Sequence, residues 1–144
     1  CYIMTNNLNM EEFLTTAKEV GFQLHNIVIW KKNNATPNRW YMKNCEYILF
    51  FRKGKAKKIN NPGTKQILEI DNIIGNKVHP TEKPVKLMEI LVENSSNEGD
   101  LVLDCFMGSG STGVACKNLN REFIGMELDE KYYKIACERI EGGN

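Results

Sequence analysis

Cysteine pairing is the first thing this sequence lacks. Its five cysteines, at 1, 45, 105, 116 and 137, are scattered and odd in number, and no C-x-x-C pair occurs. Neither a zinc site nor a disulfide framework is supported, and the expected compartment is the reducing cytoplasm. Cys105, Cys116 and Cys137 lie inside apolar patterns and read as small core residues. No run of about 18 apolar residues exists, which argues against a membrane-spanning helix. No secretory leader is visible, because Cys1 to Met4 is short and runs into asparagines. There is no charge excess either: 19 Lys and Arg stand against 18 Asp and Glu, so net charge does not mark a nucleic-acid binder. Prolines number four, at 37, 62, 80 and 84, and no two are adjacent. The first residue is not methionine, and the expectation is a piece of a longer protein. With 144 residues, 42% of them hydrophobic, the chain has enough for a single domain with a real core.

The most informative stretch is residues 101–127. Leu101, Val102 and Leu103, with Cys105 beyond Asp104, read as a short buried strand. Gly108, Gly110 and Gly113 then open a helix expected over 111–119, and 121–127 reads as a second strand ending on Glu127. This is a β-turn-α-β unit with a glycine-rich first turn. Glycines let backbone approach a ligand without a Cβ in the way. The helix start offers unpaired N–H groups to an anionic or carboxylate ligand. An acid at the end of the second strand sits where hydrogen bonds from a ribose diol are accepted. The unit should hold a nucleoside; the alternative is a tight turn with no ligand.

Gly108-Ser109-Gly110-Ser111-Thr112-Gly113 satisfies G-x-G-x-x-G, the dinucleotide pattern, which alone is weak. Asp104 argues against a dinucleotide: a carboxylate ahead of the glycines repels a pyrophosphate and pairs with an ammonium. S-adenosylmethionine carries an ammonium, a sulfonium and a ribose. The string Asp104-Cys105-Phe106-Met107-Gly108-Ser109-Gly110-Ser111-Thr112 resembles the cofactor motif of the amino-group DNA methyltransferases, usually Asp-Pro-Phe-x-Gly-Ser-Gly-Thr-Thr. Here Cys105 replaces the proline and Ser111 the first threonine.

A second string carries the same resemblance. His79-Pro80-Thr81-Glu82-Lys83-Pro84, followed by a helix and then the glycine turn, is similar to the segment that precedes the cofactor strand in one permuted group of these enzymes. The resemblance implies that Thr81 and Lys83 neighbour the cofactor carboxylate. It also implies that Phe106 and Leu128 wall the adenine ring, with plain core packing as the competing reading of both. With Asp104, Gly108, Ser109, Gly110, Thr112 and Glu127, these complete the expected cofactor set.

The rest of the chain fits that order. Residues 1–4 read as the end of a strand. Asn9 is expected to cap a helix, with Glu12 completing a capping box, and Met10, Phe13, Leu14, Ala17 and Val20 share one helical face up to Gly21. Residues 22–30 read as a strand that Lys31 and Lys32 leave at its end, and 45–52 as a second strand antiparallel to it. Between them, 33–44 is polar and holds Arg39, Trp40 and Tyr41. It is either a loop that stacks on nucleic acid or a surface loop whose Trp40 tucks into the core. Arg52, Lys53, Lys55, Lys57 and Lys58 fall together without an acid, which is either a solvated loop or a DNA contact. Pro84 suits the start of a buried helix. After Leu128, Asp129 is expected to cap a last helix with Tyr132, Tyr133, Ala136 and Ile140 on its apolar face, ended by Gly142 and Gly143.

The resemblance covers nearly the whole chain and implies a Rossmann-like, doubly wound α/β methyltransferase fold. Residues 52–77 would be a short basic target-recognition insertion, and 79–140 the cofactor-binding region. It implies methyl transfer to the exocyclic amine of adenine, less readily cytosine, in double-stranded DNA, with no metal. Such enzymes carry an Asp-Pro-Pro-Tyr-like motif for the target amine, and no adjacent prolines exist here. The expectation is a carboxyl-terminal part that lacks the catalytic strand, partners the missing amino-terminal part, and self-associates through exposed strand edges. The competing functions are a nicotinamide-dependent oxidoreductase domain and a non-catalytic DNA-binding module.

Overall fold

A computed structural model describes residues 1–75 and 77–142, so Gly143, expected to help end the last helix, lies outside the described residues. The chain divides into two compact units, Cys1–Asp71 and Asn72–Asn144.

The first unit comprises β1 (Tyr2–Thr5), α1 (Met10–Glu19), β2 (Gln23–Thr36), β3 (Lys43–Arg52) and β4 (Ile67–Glu69). Its sheet has the order β1-β3-β2-β4. β2 and β3 form the expected antiparallel pair, with Ile27 opposite Leu49 and Ile29 opposite Tyr47. β1 adds antiparallel to β3, and β4 adds parallel to β2. The runs of Ile, Val, Tyr and Phe suit a pleated, half-buried surface. Ala17, Leu49 and Phe51 form a buried cluster, with Ile3, Met10, Leu14, Phe22 and Ile27 packed against it. Trp30 is buried and its indole N–H donates to the Ile70 carbonyl at 2.8 Å, which ties the end of β4 to β2.

Three expectations for this unit change. Lys31 and Lys32 do not leave the sheet, because β2 continues to Thr36. Lys31 pairs with Glu69 on β4 at 3.2 Å and Lys32 with Glu46 on β3, so cross-strand charge pairs sustain a polar strand. The loop expected over 33–44 therefore shrinks to a hairpin tip at 37–42, where Trp40 is 79% exposed and takes no part in the core. Asn9 makes no side-chain cap on α1 and no capping box forms with Glu12. Asn6 Oδ1 instead accepts the N–H groups of Leu8 and Asn9, at 2.8 and 3.3 Å, in a turn ahead of the helix. Gly21 ends α1 as expected, at φ +90, with the Phe22 N–H returning to the Ala17 carbonyl.

The second unit comprises α2 (Val85–Ser95), β5 (Leu101–Asp104), α3 (Ser111–Asn118), β6 (Glu122–Gly125) and α4 (Glu130–Gly142). β5 and β6 are parallel, with Leu101 opposite Glu122 and Leu103 opposite Ile124, and α3 is the crossover between them. From Ser111 to Cys116 every residue of α3 is buried. The seat is tight: a Cβ on Gly113 would lie 2.3 Å from Ile140 Cδ1 and 2.8 Å from Phe123 Cε1. Asp129 Oδ1 accepts the N–H groups of Lys131 and Tyr132, which caps the start of α4 as expected. The strand expected over 121–127 is shorter, so Glu127 stands in the loop beyond β6. Cys105 is exposed and is not a core residue; Cys116 is fully buried and Cys137 half-buried.

Candidate functional site

At the carboxyl end of β5, three segments of the second unit meet. They are the turn 105–110, the loop after β6, and the strap 79–83. Backbone bonds join the first two: the Met107 N–H donates to the Met126 carbonyl and the Met126 N–H to the Asp104 carbonyl, each at 2.9 Å. The strap meets the turn where the His79 ring lies 3.6 Å from the position a Gly108 Cβ would occupy.

Two anchored carboxylates stand here, Asp104 at the end of β5 and Glu127 in the loop after β6. Asp104 Oδ2 accepts the Thr112 hydroxyl at 2.6 Å, and Oδ1 accepts the Phe106 N–H at 3.0 Å. Glu127 Oε2 accepts the Gly108 N–H at 3.0 Å, and Oε1 the Asp129 N–H at 2.9 Å. A carboxylate offers about four lone-pair sites, so each keeps acceptor capacity. Gly108 and Gly110 take left-handed φ values of +53 and +81, which L side chains adopt at a cost. A Cβ on Gly110 would also lie 2.9 Å from Ala136 Cβ on α4. Phe106 is 90% exposed and Leu128 fully exposed, so neither is packed in the core.

Within the strap, the Thr81 N–H donates to His79 Nδ1 at 3.2 Å, with the Thr81 hydroxyl 3.1 Å from the same atom. The His79 ring stands edge-on to Tyr132, with centroids 4.1 Å apart. Lys83 Nζ donates to the Thr81 carbonyl at 3.1 Å.

The sequence reading overlooked two charged residues here. Glu82, in the strap, is buried and pairs with Arg139 of α4, Oε1 to Nη2, at 2.9 Å. Arg139 Nη1 donates to the Ser109 carbonyl at 2.6 Å and hydroxyl at 2.8 Å. The available signal was position: Arg139 lies three residues after Ala136 and beside Ile140, on the face already read as apolar.

The basic candidates all belong to the first unit. Arg39 sits in the hairpin tip with its guanidinium 5.5 Å over the Trp40 ring, beside exposed Tyr41 and Met42. Arg52 ends β3 and donates to the Gly54 carbonyl. Lys53 Nζ lies 5.3 Å over the Phe22 ring, and Lys55, Lys57 and Lys58 are exposed in the segment that follows. Behind the glycine turn, burial pushes the Cys116 thiol up to about 11, with Arg121 opposing and Asp104 adding to the rise. Among the described residues no cluster of His, Cys, Asp or Glu could hold a metal ion, and no helix is long and apolar enough to cross a membrane.

The sequence model of the N6/N4 family, described as DNA methylase, matches residues 1–138, and the chain belongs to that family. The type II methyltransferase M2.DpnII of Streptococcus pneumoniae is 37% identical over 147 residues, covering 88% of this chain and 54% of that protein. The crystal structure of the M1.HpyAVI–SAM complex superposes with a TM-score of 0.81 at 37% identity, covering 96% of this chain and 73% of the other. PvuII DNA methyltransferase, cytosine-N4-specific, shares the fold at a TM-score of 0.80 and 22% identity, covering 92% of this chain and 56% of that one. The fold is thus the Rossmann-like α/β fold of S-adenosylmethionine-dependent DNA methyltransferases. The chain spans about half the length of the curated relatives it matches, 54% for M2.DpnII.

Proposed function

We propose that the chain holds S-adenosylmethionine at the carboxyl end of β5, as the cofactor-binding and target-recognition part of a DNA methyltransferase. The acceptor is the exocyclic amine of adenine, favoured over cytosine, in double-stranded DNA. The observation that carries this reading is the Asp104 carboxylate, held by Thr112 and the Phe106 N–H immediately before the glycine turn. A fixed negative charge there attracts an ammonium and repels a pyrophosphate, which disfavours a nicotinamide dinucleotide.

The residues present fit the cofactor. Asp104 pairs with the ammonium, and Glu127 has lone pairs left for the ribose hydroxyls. Phe106 and Leu128 offer bare apolar surface to the adenine ring. Thr81 and Lys83 belong to the strap that meets the turn through His79, and a cation there would suit the cofactor carboxylate. Ser111 Oγ, the first hydroxyl of α3, is buried with no hydrogen-bond partner among the described residues, an unmet polar group at this turn. When bound, S-adenosylmethionine supplies a methyl group already activated by its positive sulfur. The protein's task is then alignment rather than acid–base or metal chemistry.

Arg39, Arg52, Lys53, Lys55, Lys57 and Lys58 supply phosphate contacts, which dominate affinity for a duplex. No Asp-Pro-Pro-Tyr-type motif occurs in these residues, so amine binding falls to the remainder of the enzyme, and the chain alone is inactive. The setting is the bacterial cytoplasm. Titration calorimetry tests the reading: S-adenosylhomocysteine should bind and NAD should not, and the reverse result rejects it. Mixed with unmethylated duplex, the chain should shift its mobility without transferring methyl groups.

A further inference from the structure

Residues 78–83 form no helix or strand, yet they carry the two side chains assigned to the cofactor carboxylate. Their placement has to come from outside the strap. Its one buried charge is Glu82, whose side chain is 6% exposed. Glu82 Oε2 accepts the Val78 N–H at 2.9 Å, and the Glu82 N–H returns to the His79 carbonyl at 3.0 Å, so the carboxylate folds the strap on itself. Its other oxygen meets Arg139 Nη2 at 2.9 Å. The remaining guanidinium arm, Nη1, grips Ser109 of the glycine turn through both carbonyl and hydroxyl. One planar fork on α4 therefore fixes the strap and the turn to each other. A lysine would keep the charge and lose the fork.

We infer that Arg139 and Glu82 are positioning residues for the amino-acid end of the cofactor: they hold Thr81 and Lys83 at a fixed distance from Asp104. This rests on the S-adenosylmethionine reading of the site. The second anchor, His79 between Gly108 and Tyr132, contacts the turn by packing alone and does not replace the charge pair. Glu82 is the buried member of the pair, and losing the guanidinium fork leaves its carboxylate uncompensated, so the strap has to shift to hydrate it. The adenine and ribose contacts, on Phe106, Leu128 and Glu127, include neither Arg139 nor Glu82.

Glu82→Gln and Arg139→Lys should therefore discriminate between two ligands. The dissociation constant of S-adenosylhomocysteine should rise about tenfold in each variant. That of 5′-methylthioadenosine, which has the nucleoside and no amino acid, should change by less than about twofold. Amide hydrogen exchange of the ligand-free chain should speed up at 78–83 and stay unchanged across α2 and α3. Equal weakening of both ligands, or a uniform loss of protection through the second unit, would assign the pair to plain folding stability and overturn the inference. Unchanged S-adenosylhomocysteine binding would overturn it as well. Should the unaltered chain bind neither nucleoside, the cofactor reading fails, while exchange at 78–83 still decides whether the bridge fixes the strap.

Discussion

Gly113 illustrates how much of this site is decided by single atoms. Its missing Cβ leaves room for Ile140 and Phe123, both within 2.8 Å of where that carbon would be. Gly113→Ala should destabilise the second unit by about 1–3 kcal/mol, read as a lower urea midpoint, because neither neighbour belongs to a loop that can yield. Cys116 gives a pH prediction. Its folded-state thiol titrates near 11 against a reference of 9.0. The unfolded chain therefore loses that proton first, and the stability Cys116 contributes is present below 9.0 and falls as pH rises toward 11. Thermal unfolding of the native chain and of Cys116→Ala should diverge in slope over that window only. At this scale, the place of Asp104 at the end of β5 and of Glu127 in the loop after β6 was legible from the strand-turn-helix-strand order. Arg139 was not, since a charged residue on an amphipathic helix reads as solvated until its partner is seen.

Among the elements, the helices and the β2–β3 pair were readable from apolar spacing; the length of β2 and the addition of β4 (Ile67–Glu69) beside it were not. Periodicity stops at Trp30, whereas the strand runs to Thr36 on pairs such as Lys31 with Glu69. Such pairing depends on residues distant in sequence, which no local pattern contains. The consequence is a compact hairpin tip that presents Arg39, Trp40 and Tyr41 together. Exposed aromatics beside a cation suit stacking and phosphate contact, and they add little to folding. Trp40→Ala should change the unfolding free energy by less than about 0.5 kcal/mol. The same variant should weaken duplex binding in a mobility-shift titration by about tenfold, the order that a lost stacking contact carries. A variant that unfolds early and binds DNA normally would return Trp40 to a structural role.

For the whole molecule, the question is what covers the second unit's sheet. Parallel strands in α/β folds are normally covered on both faces, and a two-stranded sheet alone is marginal. One face of β5–β6 carries Phe123, which sits against Gly113 of α3. The other carries Leu101, Leu103 and Ile124, all about half exposed, with Met126 following. Alternation in the sequence reads both faces as apolar and cannot say which polypeptide covers each. The occupant we propose for the open face, on the methyltransferase reading above, is the part of such an enzyme that the matched relatives carry beyond the length this chain covers. Leu103→Lys combined with Ile124→Lys should leave the chain folded, because both side chains already meet solvent. The unaltered chain should bind a co-expressed complementing segment of the enzyme, and the double variant should not. Without that segment, sedimentation should show the unaltered chain gaining mass with concentration while the double variant stays at 16.5 kDa. If both chains stay monomeric and both capture the segment equally, the open face is not where the enzyme is completed.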